Sequence, residues 1–134
     1  MELYDKTAKN VSRQLTLAYS TSFGLASRLF GRSIRNDIFA IYGLVRIADE
    51  IVDSYKKPDS GFILDQLENE TYKSIDRQYS PNLIVHAFQQ TANKYRIEKS
   101  LIKPFFASMR VDSKVQKNSL KNNIKTTYTV RRKW

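Results

Sequence analysis

Ile38-Phe39-Ala40-Ile41-Tyr42-Gly43-Leu44-Val45-Arg46-Ile47-Ala48-Asp49-Glu50-Ile51-Val52-Asp53 is apolar on nearly every side of a helix until its last turn, where Asp49 and Asp53 stand four residues apart. At that spacing two residues share a helix face, with Cβ atoms about 5–6 Å from each other. Followed backwards, the same stripe collects Arg46 and Tyr42. A helix this apolar is expected to be buried, and a buried carboxylate needs a charged partner or a cation. Carboxylates suit hard cations such as Mg²⁺, which are held by one or two of them together with substrate phosphates. The stripe therefore reads as half of a metal-diphosphate site. The competing reading leaves both acids on a solvated rim and gives Arg46 no role beyond an i,i+4 ion pair with Glu50.

The rest of the chain is expected to be all-α. Val11, Leu15 and Ala18 fall at helical spacing within a segment running from about Leu3 to Phe30, punctuated by Gly24 and Gly31. Ser33 is placed to cap a second helix, Ile34 to about Ser54, with Asp37 favourably set in its first turns. Lys57-Pro58-Asp59-Ser60-Gly61 reads as a turn, and Phe62, Leu64, Leu67 and Tyr72 suggest a third helix. Ser80-Pro81 is a start signal, a serine cap before a proline at the first helical position. The helix that follows would bury Leu83, Ile84, Ala87, Phe88 and Ala92 and end near Tyr95. A last helix is expected from about Glu98 to Met109, bent at Pro104. No stretch alternates with strand periodicity and no internal repeat is present.

Length and charge bound the function. A chain of 134 residues is at most one domain with a modest core. It contains no cysteine, which excludes disulfides and thiolate metal sites. No apolar run approaches the ~18 residues of a membrane span, and the N-terminus is not a signal peptide. A cytoplasmic protein is expected, with peripheral contact at a membrane surface left open. The net charge of +10 is concentrated: residues 113–134 hold seven Lys or Arg and no acid, leaving 16 basic and 13 acidic residues in 1–112. His86, the only histidine, is expected at the core edge or surface and not on a metal.

Tyr19-Ser20-Thr21-Ser22-Phe23, followed by Ala40-Ile41-Tyr42-Gly43-Leu44-Val45-Arg46-Ile47-Ala48-Asp49-Glu50-Ile51-Val52-Asp53, resembles the start of the squalene/phytoene synthase family. The likeness runs from about Leu3 to Asp112 and is nearest to bacterial phytoene synthases. It implies the N-terminal helices of an isoprenoid-synthase-type bundle, incomplete here. It also implies an Mg²⁺-dependent prenyltransferase joining two prenyl diphosphates, geranylgeranyl or farnesyl, head to head. The product would be phytoene or a squalene-type hydrocarbon of isoprenoid or carotenoid biosynthesis, formed through a cyclopropyl intermediate. By position the resemblance assigns Asp49 and Asp53 to metal binding. It gives Ser20, Ser22, Phe23, Tyr42 and Arg46 to the substrate, with Arg46 holding diphosphate and counted with the two aspartates as catalytic. The two serines could equally be helix caps, and Tyr42 could be plain core. Some of the fifteen Tyr and Phe would line a prenyl cavity.

The family's second aspartate-rich motif would lie beyond residue 134, so the chain alone is expected to be inactive. The apolar faces of residues 34–52 and 83–95 are then expected to be uncovered and to favour association. After Asp112 the composition changes to Lys, Asn and Thr. One reading is a disordered basic arm for an anionic partner, making the chain a non-catalytic interaction module with no specific nucleic-acid target. The other is a change of frame. Joining the last base of each codon to the first two of the next lets Thr127-Tyr128-Thr129-Val130-Arg131-Arg132-Lys133-Trp134 encode Ile-Tyr-Gly-Ser-Ala-Glu-Val in order. Bacterial members of the family carry that motif about this far past the Met-x-x-Asp element seen here as Met109-Arg110-Val111-Asp112.

Overall fold

A computed structural model describes residues 1–121. Six α-helices occur in this span: α1 (Glu2–Tyr19), α2 (Thr21–Ser27), α3 (Arg32–Glu50), α4 (Ser60–Arg77), α5 (Leu83–Tyr95) and α6 (Lys99–Lys121). Between α3 and α4 the chain widens into a π-helical turn, Ile51–Tyr55. The described residues contain no strand, so the all-α expectation holds.

α5 is the central rod. It packs against α1, α3 and α4 and buries eight residues, Ile84–Gln89, Thr91 and Ala92. This corrects the expectation that residues 83–95 present an open apolar face. On α3 the expectation is half met. Phe39, Ala40, Gly43, Leu44 and Ala48 are buried, whereas Ile34 and Ile41 are 50% and 40% exposed. Ile38 and Val45, on the same stripe, are half-buried. The main core joins Leu44, Ala48 and Val52 to Leu64, Val85, Phe88, Phe106 and Met109.

α1 meets this body along small residues. Ala8, Ser12 and Thr16 are its buried stripe, not Val11, Leu15 and Ala18. The seam lets two backbones approach closely: a methyl group built on Gly43 would lie 3.4 Å from the Ser12 hydroxyl and 3.4 Å from Ile84. Hydropathy spacing picks out large side chains, and here the contact is made by small ones. Phe62 likewise lies outside the core, 59% exposed, because α4 turns Leu64, Leu67 and Thr71 inward.

Helix ends also differ from their sequence signals. Ser80 does not cap α5. Asn82 does, its Oδ1 accepting from the Ile84 and Val85 amides at 3.0 and 3.2 Å. α6 continues past Met109 to Lys121 with Pro104 inside it, so residues 113–121 of the basic tail are helical. Residues 122–134, which carry the rest of the arm and the frame-shifted motif, lie outside the described residues. Asp37 is 8% exposed and serves more than a helix dipole: it accepts from Lys94 at 2.9 Å and from the Tyr95 hydroxyl, tying α3 to the end of α5.

Ser80 and His86, both fully buried, fasten the N-terminal turn of α1. The Ser80 amide donates to His86 Nδ1 at 3.1 Å, which leaves the ring proton on Nε2. Nε2 in turn donates to Asp5 at 2.7 Å. His86 is thus a core residue with both nitrogens used, more deeply placed than expected. The Ser80 hydroxyl donates to Glu70 at 2.7 Å, and Arg77 pairs with the same carboxylate. Burial acts to raise the Glu70 pKa, but the hydrogen bonds from Ser80 and Arg77 outweigh it and hold the group below its ordinary 4.5. A carboxylate with a lowered folded pKa stabilises the fold above its unfolded value, and that stabilisation is lost as pH falls through the folded value. Thermal melts between neutral pH and about pH 3 are therefore expected to show a smaller acid loss in Glu70→Gln than in the unaltered chain. Equal losses would contradict the assignment.

Candidate active site

The site forms where α3 gives way to the π-helical turn. The Arg46 guanidinium donates from Nη1 to Asp49 Oδ2 at 2.8 Å and from Nη2 to Glu50. It lies 4.1 Å from the centre of the Tyr19 ring, a cation–π arrangement. The Arg46 and Asp49 side chains are 16% and 15% exposed, and Glu50 is 35% exposed. The acids are therefore neither deeply buried nor on a free rim. They occupy a half-dry shoulder where a guanidinium is already fixed.

The electrostatics follow from this cluster. Burial acts to lower the Arg46 pKa, but hydrogen bonding to Glu50 and the charges of Asp49 and Glu50 raise it overall. The Arg46 hydrogen bond holds the Glu50 carboxyl below its usual value against the effect of burial, with help from the Ser54 and Tyr19 hydroxyls. Tyr19 thus serves the cluster twice, by its ring and by its hydroxyl. Spacing along α3 could not reveal it, because it arrives from the end of another helix.

Asp53 is half-buried in the π-helical turn. Such a turn hydrogen-bonds one residue further along than an α-helix and is often found at functional sites. Here the Lys56 amide reaches back to the Ile51 carbonyl at 3.3 Å, and Lys56 closes the turn in the left-handed conformation at φ 49°. The expectation of a continuous α-helix to Ser54 is corrected accordingly.

The second sequence element is split in its roles. Ser20 caps α2, its hydroxyl accepting from the Phe23 amide at 3.1 Å, as the capping alternative held. Ser22 is exposed. Phe23 stacks on Tyr42 with ring centres 4.8 Å apart, which brings α2 against the face of α3 that carries Arg46 one turn later. The structure thus gathers Phe23 with Tyr42, and Tyr19 with Arg46, Asp49 and Glu50.

Among the described residues no three His, Cys, Asp or Glu side chains gather into a metal-holding group. Asp49 and Asp53 offer oxygen donors alone, which fits a hard cation that completes its shell with water and phosphate oxygens. Beside them Glu50, Ile51, Ser54, Tyr55 and Ile63 line an open, mainly apolar groove of about 430 Å³. A larger cleft, about 560 Å³, lies among Met1, Asp5, Gln78, Gln89, Gln90, Asn93 and Lys94 and includes none of the residues singled out in the sequence. No helix among the described residues is long and apolar enough to cross a membrane.

No curated protein and no solved structure matches the chain. The family model described as squalene/phytoene synthase matches residues 16–126. That span takes in the Tyr19–Phe23 element, the whole of α3 and both aspartates. With most of its length matched and the helical geometry in agreement, the chain belongs to the squalene/phytoene synthase family.

Proposed function

We propose that Asp49 and Asp53 form one half of a Mg²⁺-diphosphate site for farnesyl or geranylgeranyl diphosphate, with Arg46 beside it to hold the diphosphate. The family joins prenyl diphosphates head to head in isoprenoid biosynthesis, which requires that a diphosphate leave an allylic carbon. The observation that carries the reading is the Arg46 cluster. A guanidinium already oriented by Asp49, Glu50 and the Tyr19 ring presents a charge-assisted donor about one helical turn before Asp49 and two before Asp53. Mg²⁺, when bound by Asp49 and Asp53, would supply the charge that stabilises the leaving diphosphate. Arg46 orients that group, and the apolar groove along Ile51, Tyr55 and Ile63 gives the prenyl chain a wall that excludes water. Phe23 and Tyr42, stacked one turn before Arg46, lie where they can extend that wall. Ser20, engaged in capping, acts on the substrate only by fixing where Phe23 sits.

Calorimetric titration of the chain with a non-hydrolysable thio-analogue of geranylgeranyl or farnesyl diphosphate tests this reading. Binding is expected with Mg²⁺ and is expected to disappear with a chelator. The chain by itself is expected to bind without releasing a hydrocarbon product. Binding that is indifferent to Mg²⁺, or no binding in its presence, would overturn the assignment.

A further inference from the structure

We propose that Glu50 is a positioning residue that keeps Arg46 in place while Asp49 exchanges that guanidinium for a cation. The inference rests on the reading of Asp49 as a metal ligand and adds to it a part for its neighbour. Asp49 Oδ2 accepts from Arg46 Nη1 at 2.8 Å, and a small divalent ion demands near-octahedral geometry from its carboxylate oxygens. Arg46 and the cation therefore compete for one carboxylate. An Arg46 released without a second partner would be a cation only 16% exposed beside the Tyr19 ring, and an unpaired charge so placed is costly. Its Nε is already buried with no hydrogen-bond partner, so release into the protein has little to offer it.

Glu50 removes that cost. It takes Nη2, the terminal nitrogen that Asp49 does not use, and stands farther out at 35% exposure. With Glu50 in place, Arg46 can give up Asp49 without leaving its position, and it stays beside the cation to meet diphosphate oxygens. Without Glu50, Arg46 has only Asp49 and holds it against the metal.

The test uses Mn²⁺ alone as the probe, its binding to the 134-residue chain read by electron paramagnetic resonance, with helicity checked by circular dichroism. Replacing a charge-assisted acceptor by a neutral one at a partly exposed site is expected to weaken Mn²⁺ binding about tenfold in Glu50→Gln. Glu50→Asp, which keeps the charge, should hold most of the affinity. The double variant Glu50→Gln with Arg46→Met should regain it, because the guanidinium then no longer competes with the cation for Asp49. A merely structural part for Glu50 would not be rescued by removing Arg46, and a part as metal ligand would leave the double variant weaker than Arg46→Met alone, where the positioning role expects the two to match. Loss of binding in Asp49→Asn together with unchanged binding in Glu50→Gln, or failure of the double variant to recover, would overturn the inference and leave the site reading standing. Mn²⁺ binding unaffected by Asp49→Asn would overturn both.

Discussion

Asp49→Asn and Asp53→Asn are each expected to weaken Mg²⁺-dependent binding of a prenyl diphosphate by on the order of a hundredfold, close to 3 kcal/mol. The substitution is nearly isosteric, so the effect isolates charge. A neutral amide is a poor ligand for Mg²⁺, and Asp49 and Asp53 are the two carboxylates proposed for the shell. The two variants should differ in the absence of metal. Asp49 shares Arg46 with Glu50, so Asp49→Asn leaves the guanidinium one full carboxylate and should cost little stability. Titration calorimetry with and without Mg²⁺, beside far-ultraviolet circular dichroism, separates the two effects. Retained affinity in both variants would remove the metal assignment. Lost helicity would show that the acids serve the fold.

Phe106→Ala is expected to destabilise the chain by about 3–5 kcal/mol. Phe106 is fully buried and lies 5.0 Å from the Phe105 ring and 6.4 Å from the Tyr72 ring, centre to centre. It brings α6 into the core shared by α3, α4 and α5. Its removal takes away a large apolar surface and leaves a cavity that rigid neighbours cannot fill. Total stabilities of single domains are about 5–15 kcal/mol, so a substantial unfolded population is expected at ordinary temperature. Urea unfolding checks this: the midpoint should fall sharply with little change in slope. A shift below about 1 kcal/mol would mean that α6 is not part of the cooperative core.

The helices and the acidic end of α3 were legible because each depended on periodic spacing within one segment. The Arg46–Asp49 and Arg46–Glu50 contacts follow from i,i+3 and i,i+4 geometry alone. What spacing could not provide were contacts between segments. Tyr19 reaches Arg46 from α1, and nothing within residues 38–53 points to it. The seam of Ala8, Ser12 and Thr16 against Gly43 was hidden because burial there is set by closeness of backbones and not by side-chain size. The π-helical turn was hidden because Ile51, Val52 and Asp53 suit an α-helix equally well. At Ser80 two good caps stood two residues apart, and the hydroxyl that lost the capping place became the link between Glu70 and the backbone of Asn82.

The Asp5–His86 bond spans 81 positions of the chain, and Tyr4 donates to the carbonyl of Ser80 across 76. These are the fastenings of the first turn of α1. A ribosome delivers that turn ahead of its partners, which come out only after α3 and α4 have been made. In the order of assembly the first turn of α1 therefore exists well before its partners and is among the latest parts of the body to be locked, since distant pairings form only after the loop between them has been closed. During synthesis it must wait in the open, a short helix without its anchor, until His86 emerges.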